Sequence, residues 1–365
     1  MSLLHKIAFS SLRGMTPRLA EALLARIGDE EHFFSADEQQ LSAMAGCRNK
    51  LFDTQYRKDI LEKAGRELDF IRQNSIKPVY ITDKDFPARL ADCDDAPVML
   101  YTLGDCNLNA SKIISIVGTR HATPYGLDFV MNLVDTLAEK LDNIVIVSGL
   151  AYGIDIAAHR AAIHAGVPTI AVLAHGLNTI YPAVHRSTAV EIARQGGMLI
   201  SDYTSQDPLH KGNFVARNRI VAGLCDCLVV AESAEKGGAL ITAGIASGYN
   251  RDVMALPGRT SDKFSQGCNK LISDNMAALI SSGDDLIRLM GWTAREAEGN
   301  QQELPLELTP DETKITEYLR NHGEGSLNRM CVDLDIPVYR LTPMLVDMEF
   351  KGLVLPYPGG KYRPA

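Results

Sequence analysis

The sequence of 365 residues lacks any long hydrophobic run. None of its apolar stretches approaches the ~20 residues that a membrane-spanning helix requires. Charged residues interrupt the apolar part of residues 1–16, which is atypical of a signal peptide. We therefore expect no membrane contact and a cytoplasmic location.

Cysteine and positive charge are both limited. The seven cysteines include no CxxC pair of the kind that holds zinc or exchanges disulfides, so buried free thiols are expected. Lys and Arg number 37 against 45 Asp and Glu, which gives a net charge of -8. This balance excludes a uniformly basic surface for nucleic acid but permits a local cationic groove.

Common catalytic motifs are missing as well. The chain contains neither the GxSxG elbow of serine hydrolases nor a phosphate-binding P-loop. Asp155 and His159 are four residues apart and could share a helical face, but no third metal ligand accompanies them. Asp155 is better explained by a favourable position at a helix N-terminus. We expect no catalytic residue, no metal and no cofactor.

The sequence does contain four stretches of different character. Residues 1–74 predict a small helical module of the helix-hairpin-helix or SAM-like kind. Residues 75–291 alternate apolar strands with amphipathic helices, residues 292–308 are polar and acidic like a linker, and residues 309–365 predict a winged-helix-like domain. The fold class is therefore α/β, with a central Rossmann-like domain between two smaller parts.

Two glycine turns mark the helical module. They lie in SLRGMTPRLAEALL, where Thr16 and Pro17 start a helix that Gly28 stops, and in LSAMAGCRNKLF. Each turn could offer backbone N–H groups to phosphate, as a helix-hairpin-helix does. An ordinary helical bundle that serves packing or protein contacts explains the same segments equally well.

The central stretch predicts a doubly wound, mostly parallel sheet. Its candidate strands are rich in Val and Ile, as strands buried on both faces require. They are PVYIT, KIISIVG, NIVIVSG, PTIAVLA, GMLISDY, DCLVVAE and DVMALPG. Helical patterns such as GLDFVMNLVDTLAEKL and AVHRSTAVEIARQ lie between them. Ligands of such sheets bind beyond the carboxyl ends of the strands.

Glycine turns follow several of these strands and predict a phosphate site. A glycine turn lets the backbone approach an anion, and the free N–H groups of the next helix attract it. Arg120 follows Gly118 at a strand end, where its guanidinium could grip a phosphate. Ser148 could bind phosphate or cap a helix, and Thr242 has the same two alternatives. The candidates in these turns are Gly118, Thr119, Arg120, Ser148, Gly149, Gly238 and Thr242.

A short cationic cluster supplies the remaining candidates. Residues 205–220 carry a local charge of +2, with Phe214 between a lysine and two arginines. Cations there could neutralise a nucleic-acid backbone while the ring stacks on an unpaired base. Alternatively, Phe214 is core, Arg217 or Arg219 pairs with a buried carboxylate, and Asn218 holds the loop. The candidates are Lys211, Asn213, Phe214, Arg217, Asn218 and Arg219.

The C-terminal stretch predicts three short helices and a hairpin. Residues 309–312 start the first helix, Ser326 the second, and the third spans about residues 341–351 before Gly352. The hairpin turns at Gly359 and Gly360. The charge of residues 309–365 is -1, which is too acidic for a typical duplex-reading domain. We expect an auxiliary or protein-contact role rather than transcriptional control.

A series of ordered motifs resembles one known family. The motifs are GTRHATPYG, SGLAYGIDIAAH, TIAVLAHGLNTIYP, LISDY, FVARNRIVAGL, GGALITAGIASGYNRDVMALPG and GCNKLI. Over residues 112–280 they resemble the DNA-processing protein A family, also called Smf. The resemblance implies a single-stranded DNA binding protein that forms a homodimer and helps load a RecA-type recombinase during natural transformation.

An enzyme that acts on nucleotides is the alternative. Rossmann-like phosphoribohydrolases bind a nucleoside phosphate at similar turns, but they carry a PGGxGTxxE motif. The nearest segment here, KGGALITAG, lacks the glycine-threonine pair and the glutamate. This absence favours a protein that binds DNA without catalysis.

Overall fold

The computed structural model describes residues 2–295, 308–351, 353–357 and 360–364. It divides the chain into two units, Met1–Arg295 and Glu296–Ala365. The predicted linker over residues 292–308 lies largely outside the described residues. The helical module and the central domain both belong to the first unit.

A nine-stranded sheet forms the centre of the first unit. Its strands are β1 (Lys77–Tyr80), β2 (Met99–Gly104), β3 (Lys112–Val117), β4 (Ile144–Ser148), β5 (Thr169–Val172), β6 (Met198–Ser201), β7 (Cys227–Val230), β8 (Asp252–Ala255) and β9 (Ala278–Leu279). Their order is β1-β2-β6-β5-β4-β3-β7-β8-β9. The neighbouring strands from β6 to β9 in this order pair parallel, whereas β2 pairs antiparallel with both β1 and β6.

The predicted sheet is confirmed. All seven candidate strands form, and β3, β4, β5 and β7 are buried along nearly their whole length because helices cover both faces. The sequence analysis missed β2 and β9. Strand β2 follows Pro97 without a run of Val and Ile, and β9 has two exposed residues, so neither shows the pattern of a central parallel strand.

Eight helices connect and cover these strands. They are α6 (Ala88–Ala91), α7 (Pro124–Lys140), α8 (Ile154–His164), α9 (Arg186–Arg194), α10 (Lys211–Leu224), α11 (Gly238–Gly248), α12 (Gln266–Ser273) and α13 (Gly283–Leu289), with a 3-10 turn at Ala183–His185. The two helices predicted from their pattern are confirmed as α7 and α9. The Thr123 hydroxyl caps α7 by accepting a hydrogen bond from the Gly126 N–H at 3.4 Å.

Five helices precede the sheet. They are α1 (Leu3–Ser10), α2 (Pro17–Ile27), α3 (Glu30–Ser35), α4 (Glu38–Ala45) and α5 (Thr54–Gln73), with a 3-10 turn at Lys50–Phe52. The predicted start of α2 is confirmed, because Thr16 accepts a hydrogen bond from Leu19 N–H at 3.2 Å. The buried rings of Phe9 and Phe33 share a core with Tyr80 of β1 and Tyr101 of β2. The helices therefore pack on the antiparallel edge of the sheet.

The second unit contains three helices and a small sheet. They are α14 (Pro310–His322), α15 (Leu327–Asp333) and α16 (Val338–Phe350), with β10 (Gly325–Ser326), β11 (Val354–Tyr357) and β12 (Lys361–Pro364) in the order β10-β12-β11. The predicted first helix is confirmed, with a capping box between Thr309 and Glu312. The predicted hairpin is also present. The predictions for Gly352 and Gly359 lie outside the described residues.

Neither unit contains a membrane-spanning segment among its described helices. No helix in the described part of the chain is both long enough and apolar enough to cross a bilayer.

Candidate nucleic-acid interface

The candidate site is a cavity at the carboxyl edge of the parallel strands. Strands β3 and β7 are neighbours in the sheet, but the chain proceeds from β3 to one side and from β7 to the other. Connections therefore diverge at this point and leave a crevice, where ligands of such sheets bind. The cavity there has a volume of about 330 Å³. It is lined by the turns after β3, β4 and β7 and by one side of α10.

The structure brings together most of the residues chosen from the sequence. Eight of the thirteen candidates line this cavity. They are Gly118, Thr119, Arg120, Phe214, Arg217, Asn218, Gly238 and Thr242. Glycine is needed at position 118, because a Cβ there would overlap with the Ile154 side chain and the Glu232 carbonyl. The close packing of these turns fixes the backbone around the cavity.

The N-terminal end of α11 supplies backbone donors. The N–H groups of Gly238 and Ala239 line the cavity wall and have no acceptor among the described residues. Such groups, together with the helix dipole, favour a bound anion. Thr242 is buried, and its hydroxyl lies 3.5 Å from the Gly238 carbonyl oxygen as a donor within the helix.

Arg120 and the half-buried Phe214 form the rim of the cavity. The Arg120 guanidinium carbon lies 5.6 Å from the centroid of the Phe214 ring. The ring also contacts Tyr181 edge-on, with centroids 5.6 Å apart. Arg120 is exposed and forms no ion pair with any described residue. Its charge is therefore available to a ligand, and the two rings offer a surface for a flat group.

Arg217 and Asp155 form the floor of the cavity. Arg217 is 4% exposed, and its Nη1 donates a hydrogen bond to the Val172 carbonyl oxygen at 2.5 Å. Its Nε is buried without a partner among the described residues. Burial raises the pKa of Asp155, whereas the Arg217 charge lowers it, and burial lowers the pKa of Arg217. Each charge thus partly neutralises the other.

Lys211 and Asn213 lie near this cavity but not in its lining. Both are in the first turn of α10, which begins at the carboxyl edge of the sheet. Lys211 is exposed and has no ion-pair partner among the described residues. Asn213 donates from Nδ2 to the Pro208 carbonyl oxygen at 3.2 Å and so holds the preceding loop. Asn218 was the residue expected to hold the loop, but its side chain lines the cavity.

Three further candidates have other positions. Ser148 is fully buried, and its hydroxyl donates to the Ile116 carbonyl oxygen at 2.6 Å, so it ties β4 to β3. Gly149 lies behind the cavity floor, where a Cβ would overlap with the Arg217 guanidinium. Arg219 faces away and forms an ion pair with Asp202 at 2.5 Å. This is the carboxylate pairing that the sequence analysis had kept as its alternative for Arg219.

Sequence reasoning missed two residues of this site. Asp155 was assigned only to helix stabilisation, although its spacing from Gly149 and Gly153 places it at the strand edge like the other candidates. Tyr181 shows no sequence signal that connects it to Phe214, because the two segments meet only in the folded sheet. Across the described residues, no group of three or more His, Cys, Asp or Glu is placed to hold a metal ion.

Comparison with known proteins agrees with this geometry. Residues 77–291 match the family described as DNA recombination-mediator protein A. The chain belongs to this family. The match includes the whole sheet and every residue of the cavity, and it confirms the resemblance inferred from the ordered motifs.

Individual relatives agree with this family assignment. The chain is 33% identical over 306 residues to Protein Smf of Synechocystis, and the match covers 82% of this chain and 75% of the relative. The X-ray structure of DNA processing protein A from Streptococcus pneumoniae matches with a TM-score of 0.64 at 30% identity, covering 78% of this chain and 96% of that one.

A second solved structure is that of DNA processing protein A from Helicobacter pylori, described for its unique single-stranded DNA binding mode. The Helicobacter pylori structure matches the present chain with a TM-score of 0.53 at 30% identity, and the match covers 59% of this chain and 95% of that one.

Proposed function

We propose that this protein binds single-stranded DNA through the cavity and its rim and acts as a recombination mediator. The observation that carries the proposal is the pairing of Arg120 with Phe214 beside the free N–H groups of Gly238 and Ala239. Single-stranded DNA offers a partner for each of these groups. Its phosphates can bind the N–H donors and the cations, and an unpaired base can stack on the ring. The proposal includes Lys211 as a further phosphate contact along the strand.

The proposal assigns binding, not catalysis, to this site. The acidic side chain of the cavity, Asp155, is opposed by Arg217 and is removed from solvent. His159 is fully buried, and burial lowers its pKa to about 3. A protonated imidazole is therefore not available to act as an acid near neutral pH. Both features favour a structural role for Asp155 and His159 over a catalytic one.

Membership of the family motivates a proposal for the wider role. A recombination mediator works by giving a recombinase access to single strands, so we propose that this protein binds as a homodimer and loads a RecA-type recombinase. In this proposal it acts in the cytoplasm on strands that enter during natural transformation. Membership of the DNA recombination-mediator protein A family supports the mediator role.

Competition binding tests the DNA site. A labelled single strand is bound by the full chain and competed with single-stranded DNA, double-stranded DNA or free nucleotide over a salt series. We expect single strands to compete best and binding to weaken steeply with salt, since released counterions drive it. Preference for free nucleotide, or turnover of it, would instead support the nucleotide enzyme.

Charge reversal assigns that binding to named residues. Arg120→Glu/Lys211→Glu should lose most single-strand affinity, and its salt dependence should decrease by about 0.7 per lost phosphate contact. Arg160→Glu/Arg194→Glu is the matched control. Both control residues are exposed and lie in the second halves of α8 and α9, which return toward the opposite edge of the sheet. If the two variants bind equally well, the site assignment is wrong.

The mediator role needs separate measurements. Light scattering of the purified chain gives its oligomeric state, for which we expect a dimer. A strand-exchange assay on DNA coated with single-strand binding protein measures recombinase loading. We expect the wild-type chain to shorten the lag before exchange and Arg120→Glu/Lys211→Glu to leave the lag unchanged. A monomer, or an unaltered lag with wild-type protein, would contradict the corresponding part of the proposal.

A further inference from the structure

We infer a second binding site for a nucleic-acid backbone in the N-terminal helices, distinct from the cavity at the sheet. The site is a cavity of about 940 Å³, here called the module cavity, lined by Arg13, Arg48, Lys50 and Tyr56 among others. None of these residues lies in the part of the chain that matches the family, which begins at residue 77. The inference adds a second contact surface to the proposed DNA binding and is tested apart from it.

Two glycine turns come together to form the module cavity. Arg13 precedes Gly14 in the turn between α1 and α2, and Arg48 follows Gly46 in the turn after α4. Gly14 and Gly46 have φ values of 74° and 70°, which glycine adopts without strain. The sequence analysis had left open whether these turns bind phosphate or only pack helices. Their convergence on one cavity favours phosphate.

Hydrogen bonds hold the two turns in place. The Tyr56 hydroxyl accepts from the Arg13 N–H at 2.9 Å and so joins the first turn to α5. Arg26 of α2 donates to the Ala45 carbonyl oxygen beside the second turn. Among the residues that line the cavity, the backbone N–H groups of Arg48 and Lys50 have no acceptor in the described part of the chain. These groups remain available to an anion.

The three cations of the module cavity are unpaired. Arg13, Arg48 and Lys50 are exposed, and none forms an ion pair or a side-chain hydrogen bond with a described residue. Some other cations of the same module are paired, as in Lys6 with Asp83 and Arg66 with Glu62, whereas Lys58 and Arg72 are exposed and unpaired among the described residues but do not line the cavity. Unpaired cations around a concave surface raise the local concentration of a polyanion. What distinguishes this site from an ordinary solvated face is that three unpaired cations surround one cavity.

Two acids, Glu38 and Asp53, also line the module cavity. The Asp53 carboxylate accepts from the Tyr56 N–H at 2.7 Å as the cap of α5. Burial lowers the pKa of Arg57, whereas the nearby charges of Glu38 and Asp53 raise it, so both acids interact with this buried cation. Arg57 itself is held by carbonyl oxygens, including that of Phe33 at 2.7 Å. The lining therefore carries three cations against two acids, a net charge of +1.

The ligand class follows from this chemistry. Repeated cations and free N–H groups match the phosphodiester backbone of DNA, either single- or double-stranded, because both present phosphates at regular intervals. Apart from Tyr56, no aromatic side chain lines the module cavity among the described residues. Base stacking is therefore a minor contribution, and we expect binding without sequence preference.

The test compares full-length variants on long and short oligonucleotides. Arg48→Glu/Lys50→Glu should bind a long single strand about tenfold more weakly at low salt, with a salt slope reduced by roughly 1 to 2. Binding of an oligonucleotide of about 6 nucleotides, which occupies a single site, should not change. The matched control is Lys58→Glu/Arg72→Glu, two exposed cations of α5 that do not line the module cavity.

Each outcome has a defined meaning. A loss confined to Arg48→Glu/Lys50→Glu supports the second site, and parallel titrations with single- and double-stranded DNA show which backbone it takes. Equal affinity of this variant and the control for both DNA forms would overturn it. If Arg120→Glu/Lys211→Glu also binds like wild type, the proposed function fails independently. Thermal unfolding of every variant checks that the surface changes leave the fold intact.

Discussion

The Arg120 guanidinium lies over the Phe214 ring, with its central carbon 5.6 Å from the ring centroid. Arg120 follows β3, and Phe214 lies near the start of α10, so the contact joins distant parts of the chain. A cation and a ring at one rim provide the two interactions that single-strand binding uses, charge neutralisation and stacking. The contact also keeps Arg120 oriented without an acidic partner that would cancel its charge.

Replacement of the ring tests its role in stacking. We expect Phe214→Leu to weaken single-strand binding by about 1–3 kcal/mol, because leucine preserves apolar volume but offers no flat surface. Fluorescence anisotropy with a labelled oligonucleotide measures the change. Phe214→Tyr is the control and should retain nearly full affinity. Equal affinity of the leucine variant would show that the ring serves packing alone.

An added methyl group tests the floor of the cavity. Gly149→Ala should destabilise the fold by about 1–3 kcal/mol, because a Cβ there overlaps with the buried Arg217 guanidinium. Gly244→Ala is the matched control, since a Cβ on Gly244 of α11 would have no atom of another segment within 4 Å. There, alanine should stabilise by up to about 1 kcal/mol through helix propensity. Denaturant unfolding compares the two variants, and equal effects would contradict the steric argument.

Arg219 is expected to affect stability and not DNA binding. Its Nη1 donates to the Asp95 carbonyl oxygen at 2.6 Å, and its Nη2 pairs with Asp202 at 2.5 Å. Arg219→Gln leaves the buried Asp202 carboxylate without its cation, which should cost about 1–3 kcal/mol of unfolding free energy. Single-strand affinity of the folded variant should remain within about twofold of wild type. A large loss of single-strand affinity would contradict this prediction and indicate that Arg219 contacts DNA.

His159 is expected to make stability depend on pH. The Thr169 hydroxyl donates to the Ile146 carbonyl oxygen, so its oxygen accepts from His159 Nδ1–H at 2.8 Å and fixes the neutral ring. Burial, with smaller contributions from Arg217 and His185, lowers the pKa of His159 from 6.5 to about 3. Between these values the unfolded chain binds a proton that the folded chain excludes. The stability that this group contributes is therefore complete above pH 6.5 and is lost as pH falls.

Unfolding at two pH values measures this effect. From about pH 7 to about pH 5, His159→Gln should lose roughly 2 kcal/mol less unfolding free energy than wild type, because one titrating group is removed. The difference between pH values is compared, since the substitution also changes packing. His164→Gln is the control, because His164 ends the same helix with its side chain 75% exposed. An identical pH dependence of His159→Gln and wild type would contradict the assignment.

Local patterns predicted much of the fold and part of the site. Runs of Val and Ile predicted β3, β4, β5 and β7, since a strand buried on both faces excludes polar side chains. The glycine turns after them predicted where ligands meet the sheet. Strand β2 was not predicted, because its place at the antiparallel edge depends on its pairing with β6 and not on its own composition.

The sequence by itself determined seven of the nine strands of the large sheet, the carboxyl edge on which the turns gather and the family of the protein. These follow from periodicity, chain direction and ordered motifs, all of which are local or additive along the chain. Only the tertiary structure decided which cations are free. In the sequence, Arg120 and Arg219 are equally plausible as DNA contacts. In the structure, however, Asp202 forms an ion pair with Arg219, while Arg120 stays exposed. The reason is physical, because charge availability depends on burial and on neighbours that distant segments supply.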